Sequence, residues 1–286
     1  LTAREEDKGT WTTIIQARNK TFDVDMPELW RYRDLIMLFV RRDFIANYKQ
    51  SILGPLWFLL QPLFITIVFT IVFGKIARVS TDDLPPFLFY MAGVTAWNYF
   101  ATCVTKTSDT FIVNAHIFGK VYFPRLAIPI SVVLTNMLSF TIQFALFLAF
   151  VIYYFFAGAK IEPNTTILLV PFLLIHMAVL GLGVGVLVSS LTTKYRDLTY
   201  MVALGVQLWM YATPVVYPAS QIPEKWQLIY SLNPMAAIVE TFRYAFLGGP
   251  PLTFGQLGIS MAVTAVILVL SMVMFSRINK TFMDTV

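Results

Sequence analysis

Six stretches of this sequence are long, apolar and free of Asp, Glu, Lys and Arg: about 52–73, 86–105, 126–158, 166–191, 198–218 and 255–276. About 20 apolar residues cross a bilayer as a helix. Lipid offers backbone N–H and C=O groups no partner, so only helices and closed barrels can span. The sequence therefore predicts an all-α integral membrane protein with six transmembrane helices. Charged residues make up 13% of the chain, about half the roughly 25% of a soluble domain. The run 126–158 is longer than a bilayer needs, so tilt or protrusion is expected. Pro129 near its start predicts a bent or separate first turn.

The first run is preceded, without a spacer, by a charged amphipathic stretch at 28–50. On a helix, Leu29, Tyr32, Ile36, Phe39 and Val40 share one face, and Arg31, Asp34, Arg41 and Arg42 share the other. That pattern predicts a helix lying in the membrane interface. Asp43 returns to the apolar face, so a bend or break is expected near it. Gly54-Pro55 stands where the chain must turn into the membrane, and Pro is tolerated in a first helical turn. Residues 1–27 are polar and of mixed charge, and are expected to form a tail, partly disordered or strand-like.

Residues 219–254, between the last two runs, hold two apolar segments too short to span, Pro223 to Leu232 and Pro234 to Leu247. They are expected to be short re-entrant or interfacial helices. Asn233-Pro234 reads as an N-cap followed by Pro at the first helical position. Residues 277–286 form a short tail.

With six spans both ends lie on one side. That side receives the nine basic residues of 1–50, and also Lys106, Lys120, Arg125, Lys194, Arg196, Arg277 and Lys280. The other receives only Lys75, Arg78, Lys160, Lys225 and Arg243 of the 21 Lys and Arg. Both termini are therefore expected to be cytoplasmic.

Uncharged spans argue against an ion-coupled transporter, which usually keeps ionisable groups within the membrane. Only His176 is available there, and a hydrogen bond between helices is its ordinary role. No GxxxxGK[ST] cradle for nucleotide phosphates is present. Two histidines and one cysteine, far apart, give no metal signature. Cys103 lies in an apolar run and reads as a small buried residue. Asp82, Asp83, Asp109, Glu162, Asp197, Glu224 and Glu240 are scattered over both sides, not gathered as a membrane enzyme would need. Gly181 and Gly185 form G-x-x-x-G, which permits close helix packing in lipid. On the fifth run Tyr200, Gln207, Tyr211 and Pro218 fall on one helical face. Such a polar-aromatic face should meet protein or water, as pathway lining or as an ordinary helix contact. Glu240 and Arg243 lie three apart on one helix face, close enough to pair, in an otherwise apolar segment. They are placed either at a path's outer exit, holding its helices in register, or as a snorkelling surface pair.

Several segments carry a family resemblance. An amphipathic basic helix followed by RRDFIANYKQSILGPLWFLLQPL resembles the start of the membrane subunit of ABC-2 type polysaccharide exporters, which move O-antigen, capsule or teichoic-acid chains. NAHIFGKVYFPRLAIP at 114–129 is similar to that family's coupling helix, although Gly119 stands where a second basic residue is common. KYRDL at 194–198 is similar to a tight cytoplasmic loop. TPVVYP, then LNPMAAIVETFRYAFLG at 232–248, is similar to its re-entrant pair. The resemblance covers roughly 28–276.

The resemblance implies a six-span domain over 51–276 in a bacterial cytoplasmic (inner) membrane. It implies a homodimer with two copies of a separate ATP-binding subunit, which holds the ATP and Mg; this chain carries no cofactor and no catalytic site. It implies that the segment 107–125 docks into that ATPase, with Asn114, His116, Lys120, Phe123, Pro124 and Arg125 as coupling residues. Arg41, Arg42 and Lys49 of the interface helix would meet the diphosphate of a polyprenyl-linked glycan. Tyr200, Gln207 and Tyr211 would line its path, and Glu240 and Arg243 would border the exit. Membrane lipid is the other partner, and no nucleic acid is expected. Alternatives are an exporter of a drug or another lipid with the same fold, or a membrane enzyme acting on polyprenyl-linked sugars.

Overall fold

A computed structural model describes residues 26–46, 49, 52–118, 120–192, 197–249 and 254–285, with side chains placed except at 254 and 278–285. The tail expected at 1–27 falls almost wholly outside the described residues. So do 193–196 of the tight loop, Gly119 and the Pro250-Pro251 pair.

Among the described residues all regular structure is helical. The order is α1 (Met26–Arg31), α2 (Arg33–Ala46), α3 (Gly54–Ile76), α4 (Pro86–Ser108), α5 (Thr110–Val113), α6 (Ala115–Phe118), α7 (Ala127–Phe156), α8 (Val170–Thr192, after a tight turn Thr165–Leu169), α9 (Leu198–Tyr211), α10 (Gln227–Ser231), α11 (Pro234–Leu247) and α12 (Phe254–Thr285). Five of these, α3, α4, α7, α8 with its lead-in turn, and α12, are long and apolar enough to cross a membrane. Their ends lie within a few residues of the expected runs, except that α12 continues as helix to Thr285, through most of the stretch expected as a tail. The expected fifth span is different: its helix stops at Tyr211. At about 1.5 Å per residue this helix falls short of the ~30 Å hydrocarbon core. Pro214 lacks the N–H that the next turn needs, and 212–217 continues without helix.

Two local expectations are corrected. The interface segment breaks at Tyr32, between α1 and α2, and runs unbroken through Asp43. Asp43 is accommodated because its carboxylate accepts a hydrogen bond from Arg42 Nε at 2.7 Å. Nor does Pro129 form a separate turn. It sits in the first turn of the continuous helix α7, where no N–H is needed. In α3 the last seven residues, Thr70–Ile76, widen into a π-helical turn.

Helix α4 is the buried axis of the bundle, in contact with α3, α7, α8, α9 and α11. Tyr90, Phe100 and Cys103 on it are fully buried. Gly181 and Gly185 of α8 face it so closely that a Cβ at Gly181 would lie 2.8 Å from Cys103 Cβ, and one at Gly185 would lie 2.5 Å from Thr107 Cβ. The G-x-x-x-G reading as a close-packing face thus holds. The matched spacing also shows that α4 and α8 run parallel. Thr192 Oγ1, at the end of α8, donates to Ser108 O at the end of α4 over 2.8 Å. Helix α7 is antiparallel to α4, since Phe87 stacks on Tyr154 while Tyr99 meets Phe140. His176 is buried on α8, with Nε2 2.9 Å from Thr264 Oγ1 of α12, the interhelical hydrogen bond expected of it.

Candidate functional site

Two regions gather the residues singled out in the sequence, one at each end of α4. The first lies around the end of α4 and the start of α7. Here α5 and α6 are two single turns separated at Asn114. The Asn114 side chain is buried and donates to Thr110 O at 2.9 Å, closing the first turn. Phe111, Phe118 and Phe123 then turn inward and join Phe39 of α2 and Phe275 of α12. Ring centroids lie 5.7 Å apart for Phe39–Phe123, 5.5 Å for Phe118–Phe123 and 5.7 Å for Phe111–Phe275. Each such aromatic pair contributes about 0.5–1.5 kcal/mol beyond its buried area. The segment is thus stapled to the interface helix and the last span.

The opposite face is free of that cluster. His116, Lys120, Val121 and Tyr122 are exposed, as is Val113. Tyr122 Oη reaches Glu28 Oε1 of α1 at 3.5 Å. The six coupling residues therefore divide: Asn114 and Phe123 hold the segment from within, His116 and Lys120 face outward, and Pro124 and Arg125 are half-buried at the turn into α7. Burial lowers the Arg125 guanidinium from its usual value without discharging it. The exposed apolar pair Val121-Tyr122 was not singled out in the sequence; its signal is a β-branched residue and a tyrosine between two basic residues.

On α2, Arg41, Arg42 and Lys49 just beyond it are exposed. Arg42 is tied to Asp43 and lies 4.8 Å over the Phe39 ring. The three cations remain on one short stretch, beside the stapled segment.

The second region lies at the other end of α4 and is organised by α11. Asn233 caps that helix, its Oδ1 accepting from Met235 N at 3.1 Å. The same oxygen accepts from Trp209 Nε1 at 3.1 Å, and Nδ2 donates to Ala212 O at 3.1 Å and Thr213 Oγ1 at 2.9 Å. One amide therefore joins the end of α9 to the start of α11. The far end of α11 is held by Asn164 Nδ2, which donates to Tyr244 O at 2.8 Å, and by Glu162 N donating to Leu247 O at 3.0 Å. Ser260 of α12 donates to Pro234 O at 2.7 Å.

Within α11 only Glu240 and Tyr244 escape full burial. The surface-pair alternative for Arg243 is set aside, since its side chain is 5% exposed. Nor is Glu240 its direct hydrogen-bond partner. Arg243 Nη2 donates to Pro214 O at 2.8 Å and Val215 O at 3.4 Å, in the unwound stretch after α9. Glu240 acts on it by charge at longer range. Gly93 of α4 makes room: a Cβ there would be 3.2 Å from Nη2 and 3.0 Å from Val215 O.

Beside this cluster a cavity of about 880 Å³ opens among the 211–234 stretch, α3 and α12. Tyr211 lines it, with Trp209, Tyr217, Trp226 and Tyr230. Tyr200 and Gln207 are exposed on the same face of α9 but lie outside the cavity. Aromatic faces of this kind contact sugar rings or lipid equally well. Among the described residues no three of His, Cys, Asp and Glu gather as metal ligands.

Comparison with known proteins adds a family context. The family model described as ABC-2 type transporter matches residues 34–247. The O-antigen export system permease protein RfbA of Klebsiella pneumoniae is 29% identical over 252 residues, which is 88% of this chain and 94% of that protein. The protein of the same description from Myxococcus xanthus is 30% identical over 221 residues, 77% of this chain and 82% of its own.

Proposed function

The chain belongs to the ABC-2 type transporter family, and we propose that it is the transmembrane subunit of an ATP-driven exporter of a lipid-linked polysaccharide of O-antigen, capsule or teichoic-acid type. The observation that carries the transport reading is the divided segment 107–125. One face is stapled to α2 and α12 through Phe111, Phe118 and Phe123, and the other offers Val113, His116, Lys120, Val121 and Tyr122. A rigid, exposed, basic and apolar knob of this kind transmits force from a partner to the helices behind it. The relatives' names supply the cargo class.

In this reading the protein is a non-catalytic homodimer in the bacterial cytoplasmic membrane. Two copies of a separate ATPase dock on 107–125 and hold the ATP and Mg. No GxxxxGK[ST] motif occurs in this sequence. Binding and closure of the ATPases shift the population of the membrane subunits toward an open path, by differential contacts in the two states. Arg41, Arg42 and Lys49 receive the diphosphate of a polyprenyl-linked glycan, and Tyr200, Gln207 and Tyr211 border its route. Glu240 and Arg243 hold the outer exit.

Six crossings with both ends cytoplasmic fit the packing directions. The chain from α9 to 217 runs antiparallel along α4: Thr199 bonds Asp109, Trp209 meets Phe100 at 5.1 Å, and Val215 lies against Gly93. Sixteen residues of α4 amount to about 24 Å. That supports a fifth crossing completed by the unwound stretch, with α10 and α11 as the re-entrant pair.

The test is co-expression with the ATPase from a neighbouring reading frame, in a host whose own exporter is deleted. Surface glycan should appear with the pair and not with either chain alone. Glycan that reaches the surface without the ATPase, or that is altered covalently by this chain alone, would overturn the reading. Labelling of Lys120→Cys, in a Cys103→Ser background, from outside intact cells would overturn the topology.

A further inference from the structure

A second cavity, of about 320 Å³, lies between α2, the end of α4 and the start of α7. Its size is within the roughly 300–1,000 Å³ range of small-ligand sites and far above the ~30 Å³ share of one water. Arg42, Asp43 and Ala46 form one wall, Lys106, Asp109 and Asn114 another, and Thr135 and Asn136 the floor.

Most polar atoms of this cavity are already engaged. Arg42 is bound to Asp43. Thr110 Oγ1 donates to Lys106 O at 3.0 Å, Thr135 Oγ1 to Ser131 O at 2.8 Å, and Asn114 Nδ2 to Thr110 O. Among the described residues two buried atoms have no hydrogen-bond partner: Asn136 Nδ2, on a residue 3% exposed whose side chain also meets the Cys103 thiol, and Asp109 Oδ1, on a carboxyl that Thr199 and Ser108 also reach. Buried polar atoms are normally satisfied, so two exceptions that line one cavity point to an occupant there. The two make opposite demands, since an amide N–H needs an acceptor and a carboxylate oxygen needs a donor. A hydroxyl supplies both. Arg42 is held by Asp43, and the Lys106 ammonium is the second cation lining this space; an ammonium suits a phosphate. A bare phosphate diester would satisfy Lys106 and Asn136 but would have nothing to donate to Asp109.

We propose that this cavity is a binding site for a phosphate ester carrying free hydroxyls, with Lys106 on the phosphate and Asn136 and Asp109 on a hydroxyl. Two sources share that chemistry: the phosphoglycerol headgroup of a membrane lipid, and the first sugar of a polyprenyl-diphosphate glycan. The second source rests on the export reading above; the first does not. In either case the ligand sits behind α2, against its Arg42–Asp43 end, and bridges the interface helix to α4 and α7.

The experiment is native mass spectrometry of the full-length chain in mild detergent, which needs neither ATPase nor export. The probes are phosphatidylglycerol, phosphatidic acid, and a short-chain prenyl diphosphate N-acetylglucosamine. The parent should retain at least one of the two hydroxylated lipids about fivefold better than phosphatidic acid, the worth of about one hydrogen bond. Asn136→Leu should abolish that preference while phosphatidic acid still binds. Lys106→Gln should weaken all three, and Lys106→Arg should restore them, which separates loss of charge from misfolding. Preference for phosphatidylglycerol alone identifies a membrane-lipid site, and preference for the sugar diphosphate alone identifies a cargo site. Equal retention of all three by the parent, or retention unchanged in both Asn136→Leu and Lys106→Gln, would overturn the proposal and leave a water-filled cavity.

Discussion

The guanidinium of Arg243 lies 3.6 Å from the centre of the Phe89 ring, so a cation on α11 is seated on the face of an aromatic on α4. The same group donates to Pro214 O. Cation–π contact at a desolvated site contributes about 2 kcal/mol or more, and a hydrogen bond from a charged group about 1.5–3 kcal/mol. Arg243→Gln should therefore lower stability by about 3 kcal/mol and abolish export. Glu240→Gln should be mild, since its carboxylate is not a hydrogen-bond partner of Arg243. The double variant should be no better than Arg243→Gln. Thermal unfolding and surface glycan at matched expression check this; full rescue by the double variant would restore the simple ion-pair account.

Phe123 and Lys120 should separate packing from coupling. Phe123→Ala empties a site shared with Phe39 and Phe118 and should cost about 3–5 kcal/mol. Lys120→Glu leaves the cluster untouched. It should keep the unfolding temperature while ATPase stimulation by the membrane subunit falls about tenfold or more, as loss of a charged interface contact allows. Normal stimulation with Lys120→Glu/Tyr122→Ala would move the docking face elsewhere.

Asn233→Ala removes the α11 cap and the partner of Trp209 together. Cap loss alone costs about 0.5–2 kcal/mol, and the indole N–H loses its acceptor. The expected result is a lower unfolding temperature and a shift in tryptophan fluorescence. Asn233→Asp, which keeps the accepting oxygen, should retain the cap but lose the donations to Ala212 O and Thr213 Oγ1. It should fall between the two. Equal stability of all three would show that α9 and α11 are not joined through this side chain.

Burial raises the Asp109 carboxyl above its ordinary value, partly offset by hydrogen bonds from Thr199 and Ser108. A raised folded-state value means that the folded chain holds the proton more tightly than the unfolded one. The carboxyl therefore costs nothing below the ordinary carboxylate range, and its cost grows as pH rises through the raised value. Asp109→Asn should increase the unfolding temperature in lipid-free detergent at pH 8 and have little effect near pH 4. A gain of equal size at both values would assign it to something other than charge.

What was legible in the sequence follows from the range of the forces involved. The long helices were legible because excluding charge from lipid is a local, additive demand, visible as uninterrupted runs such as 166–191. Asn233 as a cap was legible because capping acts within three residues. Its ties to Trp209 and Ala212 were not, since they cross more than twenty residues of chain. The same holds for Arg243: three-residue spacing pointed to Glu240, whereas the carbonyl of Pro214, freed by the end of α9, outcompeted it. Phe123 read as a docking residue only through the family resemblance, and its burial depends on residues distant in sequence. Its ring packs on Phe39 of α2 and Phe118 of α6. Asp43 did not break α2 because its immediate neighbour Arg42 neutralises it, and helix-face reasoning alone overlooks such adjacent pairs.

The register between α4 and α8 limits how the molecule can move. Two contacts without slack, Gly181 on Cys103 and Gly185 on Thr107, lie four residues apart on both helices. Sliding by one residue would drive Leu182 or Val186 into the space that only glycine fits. The two helices therefore behave as a fused stator. Any motion imposed through 107–125 has to be taken up by the loosely buried rotors around it, α2, α3 and α9.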